Sequence, residues 1–269
     1  MVKGKTIVDL NFKIDQQIKN IDDWATSNSF KINYKKTKIM YFKHQNNNSL
    51  DTDNHDMNLF KCASDQIEIV DSVKLLGIYI DKNLNFSDHV QFVLDTLNPL
   101  IGSIFRKNFL IPDVLKIKMY VNIIMSKINY ASRIWYPNIR KIDIKKLKRL
   151  NKRALRLFDP FHKVNINQIK HRHKLWDISQ YVKYYLLVNV KKQVLDSNSD
   201  YIDLLSTRNL DVLNFLVPSH CTSTFTKSPT YCSIIAFSKL PKIIRTKNVS
   251  LDKFKALVRN ICSDSGYWN

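Results

Sequence analysis

The densest chemistry in this sequence is cationic. Residues 140–156 hold nine basic side chains and one acid, Asp143. Lys145, Arg149, Lys152 and Arg156 recur at the spacing of one helix face, while Leu147, Leu150, Ala154 and Leu157 form a narrow apolar seam on another. A row of cations at this pitch can follow a phosphate backbone, each contact releasing a counterion. The competing reading is a solvated face with no ligand. A third use, lying on an anionic membrane, is disfavoured because so narrow a seam suits packing against protein. Trp176, Tyr181, Tyr184 and Tyr185 follow and could stack on bases, although tyrosines at helical spacing equally serve a core.

Other chemistries are poorly supplied. The chain has 4 glycines, none in a G-x-G spacing, which excludes a dinucleotide fingerprint, a P-loop and a G-x-S-x-G elbow. Glu68 is its sole glutamate, so paired-glutamate acid/base work is excluded. Asp22-Asp23 is an adjacent acidic pair, but neighbours on a helix point about 100° apart and share one metal poorly. His171-x-His173 sits among cations that disfavour a metal ion, and His220-Cys221 lies in a Ser/Thr-rich stretch without a third partner. Cys62, Cys221, Cys232 and Cys262 form no C-x-x-C pair and read as reduced thiols. No metal or cofactor site is expected in this chain.

The elements that would carry these residues fall into an α+β pattern. Hydrophobic residues at 44% and aromatics at 11% specify a folded chain. A first helix is predicted from about Asp9, through Leu10, Ile14, Ile18, Ile21 and Trp24-Ala25, stopped by Ser27-Asn28-Ser29. Strands are predicted at Phe30–Tyr34 and Lys38–Phe42 around a turn holding Lys35, Lys36 and Thr37, and as a pair, Gln66–Val70 with Val73–Asp81. Residues 44–66, rich in Asn and Asp, read as a surface loop, and 196–230 as a loop-rich connection. Helices are predicted over 87–108, 112–135, 141–158, 179–195 and 250–262, with Pro112, Pro137 and Pro160 near the breaks and Ser250 as an N-cap.

Charge location sharpens the partner. The net charge is +20, yet residues 1–98 carry 12 basic and 13 acidic side chains while 99–195 carry 22 and 4. A compositional bias toward lysine would spread evenly; this concentration suits a polyanion such as RNA or DNA. No apolar run of about 18 residues is present, so no membrane span is expected, and the compartment is expected to be nucleus or cytoplasm.

Specific motifs add a resemblance. Trp24-Ala25-Thr26-Ser27-Asn28-Ser29-Phe30-Lys31-Ile32-Asn33-Tyr34-Lys35-Lys36-Thr37-Lys38-Ile39-Met40-Tyr41-Phe42 resembles the W-x-x-x-N-x-L-x-I-N-x-x-K-T-K-x-M-x-F segment, motif D of the late palm, in reverse transcriptases of non-LTR, LINE-type, jockey-like retrotransposons. Val73-Lys74-Leu75-Leu76-Gly77-Ile78-Tyr79-Ile80-Asp81 is similar to that family's K-x-L-G-V-x-I-D primer grip, and Leu84-Asn85-Phe86-Ser87-Asp88-His89-Val90 to its L-x-W/F-x-x-H-I. Leu110-Ile111-Pro112, Tyr120 and Ile128-Asn129-Tyr130-Ala131 to Trp135 resemble the thumb. Phe237-Ser238-Lys239-Leu240-Pro241 to Ile244-Arg245, then Ser250-Leu251 and Phe254-Lys255, resembles W-N-x-L-P-x-x-I-R … S-L-x-x-F-K.

The resemblance implies a palm remnant (1–83), a helical thumb with a basic extension (84–195) and a small C-terminal module (196–269). Complete relatives hold Mg²⁺ on an early-palm aspartate and the F/Y-A-D-D turn, which would fall just before the first helix here; neither is in these residues, and Asp22-Asp23 is no substitute. The resemblance assigns Lys38 to the incoming nucleotide's phosphates and Leu76-Gly77 to the primer terminus, roles expected to be vestigial. It also departs at Phe237-Ser238, where the family has W-N. The expectation is a fragment of an RNA-directed DNA polymerase, inactive alone and able to hold nucleic acid. Its alternatives are a stand-alone basic nucleic-acid binding module and a non-functional relic of a decayed transposable element.

Overall fold

The structure is a computed structural model, and it describes residues 2–4, 7–42, 67–161, 163–195, 215, 225–246 and 248–263. It is of mixed helix and strand, mostly helical, and so α+β. The chain divides into two units, 1–83 and 84–269.

The first unit is built on helix α1 (Ile7–Ser27), which buries Leu10 and Ala25 and half-buries Ile14 and Ile18. Ser27 Oγ and Asn28 Nδ2 donate to the carbonyls of Asp23 and Trp24, closing the last turn of the helix. The expected strand at Phe30–Tyr34 is absent. Asn33 Oδ1 accepts from the Lys36 backbone N–H and turns Tyr34–Lys36 into a 3₁₀ turn instead. Strand β1 (Lys38–Ile39) pairs in parallel with β2 (Glu68–Ile69), in the register Lys38 to Glu68 and Ile39 to Ile69. The predicted pairing of Gln66–Val70 with Val73–Asp81 is thus corrected. Val73–Asp81 is itself folded into a hairpin of β3 (Ser72–Leu75) and β4 (Ile78–Asp81), antiparallel, with Leu75 facing Ile78. Leu76 and Gly77 form its two-residue turn, at φ 47° and 85°. Both residues are in the left-handed region that such a turn requires, which glycine adopts freely and leucine does not. The expected 44–66 loop lies outside the described residues.

The second unit opens with α2 (Ser87–Arg106), which turns Val90, Val93, Leu94, Leu97, Ile101 and Ile104 inward. The single helix expected over 112–135 is instead three. α3 (Asp113–Met119) runs through a π-helical stretch, Tyr120–Met125, into α4 (Ser126–Asn129), and α5 (Ser132–Trp135) follows a break where Ala131 has φ 47°. The wider π turn brings Tyr120, Ile124, Met125 and Ile128 all into the core. α6 (Lys141–Leu155) packs on α2. α7 (Ile166–His173) begins at a capping box, Asn165 and Gln168 exchanging hydrogen bonds with each other's turn of backbone.

α8 (Ile178–Leu195) is the hub of this unit. It meets α4 and α5 on one side and α9 (Pro229–Ser238) and α10 (Leu251–Ser263) on another. Leu187 and Val190 join Phe237, Leu240, Ile244, Phe254, Val258 and Cys262 in one core. The described part of the C-terminal span therefore shares its hydrophobic centre with a helix of the 84–195 span. Among the described residues no helix is long and apolar enough to cross a membrane.

Candidate nucleic-acid interface

The α6 seam forms as its spacing requires: Leu147, Leu150 and Ala154 are buried, as is Leu157 just beyond the helix. At 100° per residue, Lys141, Lys145, Lys148, Arg149 and Lys152 occupy an arc of about 100° on the outer side and extend over about 17 Å. All five are exposed, and none has an ion-pair partner among the described residues.

The remaining cations of the segment are used within the fold. Asp143 is buried; its Oδ2 accepts from Ser87 Oγ at 3.0 Å and Arg140 Nε at 3.0 Å, and Lys146 Nζ lies 3.5 Å from its Oδ1. Burial alone would raise this carboxyl, but the hydrogen bonds from Arg140 and Ser87 and the two cationic charges hold it below the usual carboxylate range. The segment's single acid thus fastens the start of α6 to the start of α2 and consumes Arg140 and Lys146. Arg153 reaches α2, donating to Asn98 Oδ1 at 3.2 Å.

Arg156 does not join the exposed row. Its guanidinium donates to Asp159 Oδ2 at 3.1 Å and to the Val164 carbonyl at 2.8 Å, while Val164 N–H donates to the same carboxylate at 2.7 Å. Arg156 and Asp159 are nearly buried and hold the loop after α6. Of the four residues singled out by spacing, three share the open face and the fourth is a structural staple. Lys141 and Lys148, on that same face, were within reach of the helical spacing but outside the four-residue row.

Lys38 and the hairpin sit in the first unit. Lys38 Nζ is ion-paired with Glu68, the residue opposite it on the parallel ladder. The chain's sole glutamate thereby neutralises the lysine that the resemblance assigns to a nucleotide. Leu76 is 83% exposed at the tip of its hairpin. Asp22 accepts from the Tyr34 hydroxyl, and this hydrogen bond, ahead of partial burial, raises the tyrosine pKa. Among the described residues no group of three metal-ligating side chains assembles.

The histidines divide. His173 stacks on Phe158 at 4.6 Å between ring centres, whereas His171 is exposed. His89 lies buried between Phe92 and Trp135, with neither ring nitrogen hydrogen-bonded among the described residues; burial lowers its pKa to about 4. Behind α6, Tyr120 donates to Asn151 Oδ1 at 2.6 Å, and Asn151 Nδ2 to Asp177 Oδ1 at 3.0 Å, whose other oxygen takes Lys170 Nζ at 2.6 Å. This network was invisible in sequence because its members are 26 and 31 residues apart. Cys232 and Cys262 are free thiols, both raised by burial. Cys62 and His220-Cys221 lie outside the described residues.

No protein-family model matches the chain, and neither a curated protein nor a solved structure matches it.

Proposed function

We propose that this protein binds RNA or DNA through the outer face of α6, without performing chemistry on it. The observation that carries the reading is the row of five exposed cations on that face with no ion-pair partner among the described residues, in a segment whose other cations are tied up by Asp143, Asp159 and Asn98. The contacts of this face are to phosphate, so they position a nucleic acid without specifying a sequence.

The motif resemblance supports the same partner. In that reading the chain is a late-palm and thumb fragment of a retrotransposon-type RNA-directed DNA polymerase that carries motif D and the primer grip in its sequence. Two-metal nucleotide transfer needs a set of converging carboxylates. Asp22 accepts from Tyr34 and Lys38 pairs with Glu68, so both side chains are already engaged within the fold. This chain given a primed template, Mg²⁺ and nucleotides is expected to extend nothing above a mock preparation. Extension abolished by Asp22→Ala with Asp23→Ala would overturn that part of the reading.

The binding itself is tested by changing Lys145, Arg149 and Lys152 together to Gln, which keeps helix propensity. Affinity for duplexes of unrelated sequence should fall to a similar extent for each, with the circular dichroism and the melting temperature unchanged. A variant that binds as tightly as the parent would contradict the reading.

A further inference from the structure

A second feature of the 84–269 unit is independent of the α6 face. The segment from α7 to α8 and the end of α10 enclose a cleft of about 1140 Å³. Its lining includes four aromatic rings, Trp176, Tyr181, Tyr184 and Tyr185. Trp176 meets Tyr181 and Tyr184 edge-on at 5.2 and 5.5 Å, and Tyr181 and Tyr185, one helical turn apart on α8, lie with their planes 22° from parallel. Trp176 donates from Nε1 to Ser263 Oγ at 3.1 Å, and Gln180 Nε2 donates to the Cys262 carbonyl at 2.8 Å, so Trp176 and the start of α8 are tied to the end of α10 beside the cleft. Tyr185 is 41% exposed.

The lining is also cationic. Lys174, Lys183 and Arg259 line the cleft, and the guanidinium of Arg259 lies 5.8 Å from the centre of the Tyr184 ring. Asp177, the acid in the lining, is already neutralised by Lys170 and bonded to Asn151. Rings held in place with cations around them suit a ligand that carries flat faces and negative charge in alternation. An unpaired nucleic-acid strand has that composition, since every base offers a π face and every linkage a phosphate. A duplex, whose bases are stacked on one another, does not.

The geometry points to this cleft as a site for a single-stranded segment of RNA or DNA, with bases stacked on Tyr181 and Tyr185 and phosphates against Lys174, Lys183 and Arg259. This deepens the proposed nucleic-acid function: α6 would hold backbone of any kind, and the cleft would select unpaired bases. Stacking on rings is sequence-tolerant, so the preference is for base over no base rather than for one base over another.

The test uses the full chain and three strands of about eight nucleotides, within the site sizes of single-strand binders: oligothymidylate, oligouridylate and an abasic strand with the same number of phosphates. Both base-bearing strands should bind more tightly than the abasic one, by about fivefold to 150-fold for each stacked base. The tighter of the two arms identifies whether RNA or DNA is the better occupant. Tyr181→Leu with Tyr185→Leu should abolish the difference while leaving the salt dependence unaltered. Tyr185→Leu alone, at an exposed position where folding is not at risk, should reduce it. Equal affinity of the parent for base-bearing and abasic strands, or an unchanged preference in the double variant, would overturn the proposal. So would displacement of the strand by an acidic peptide when no base preference is present. The α6 variant at Lys145, Arg149 and Lys152 separates the two readings. If it leaves affinity unchanged while the base preference persists, the backbone face is refuted and the cleft stands. If it weakens all three strands alike and no base preference exists, the cleft is refuted and the backbone face stands.

Discussion

At the scale of single residues, Arg156 and Lys145 have the same charge and opposite duties. Arg156 is nearly enclosed with Asp159 and also bonds the Val164 carbonyl, so Arg156→Gln leaves a carboxylate and a carbonyl short of a partner. Removing one member of such a pair costs about 3 kcal/mol when burial is complete, and about 1–2 kcal/mol is expected for this partly solvated one. Thermal melting should show the loss, while Lys145→Gln leaves the melt unchanged. Spacing on a helical wheel cannot tell these two apart, because what distinguishes them is the loop after the helix folding back. His89 gives a second prediction. An unfolded histidine titrates near pH 6.5, whereas burial holds His89 neutral down to about 4. Between those values the unfolded chain binds a proton that the folded chain does not, so its contribution is complete above pH 6.5 and is lost as the pH falls toward 4. The loss amounts to about 3 kcal/mol. Denaturant unfolding of the parent and of His89→Leu across this range should diverge by that amount; parallel curves would show that His89 charges freely in the fold.

At the scale of elements, the hairpin β3–β4 turns on a leucine in a conformation that costs an L-residue about 1–2 kcal/mol. Leu76→Asn would give the Asn-Gly pair that such turns favour. Hydrogen exchange at the hairpin amides should slow by up to about tenfold, and exchange no slower than in the parent would contradict the observed turn. Much of the helical framework was legible: α1, α2, α6 and α10 carry apolar residues at regular spacing, α8 carries them on every side, and Ser250 stands at the start of α10 as expected. α7 and α9 were missed, though both left signals, Asn165 with Gln168 in a capping box and Ser228 before Pro229 at a helix start. The subdivision of 112–135 had no such signal. Ala131 enters the left-handed region without a glycine, and Tyr120, at the start of the π turn, bonds Asn151 from 31 residues away. The parallel pairing of Lys38–Ile39 with Glu68–Ile69 was equally hidden, because strands of two residues have too little alternation to read.

At the scale of the whole molecule, the charge that looked like one basic stripe is two arrangements within the 84–269 unit: a lysine-rich helix face and a cleft lined by aromatic rings and cations. The cleft's aromatics were visible in the sequence, but the approach of Arg259 and Ser263 to Trp176 and Tyr184, from more than 70 residues away, was not. The central claim is that the α6 face holds phosphates, and counterion release measures it most directly. Three phosphate contacts at Lys145, Arg149 and Lys152 contribute about −2.7 to the slope of log K against log [salt] on duplex DNA, or about −2.1 on a single strand. Titrations of the parent and of the triple Gln variant over a range of salt concentrations should therefore give slopes that differ by about these amounts, the variant's being the flatter. Identical slopes would show that the face carries no phosphate and that its lysines are merely solvated.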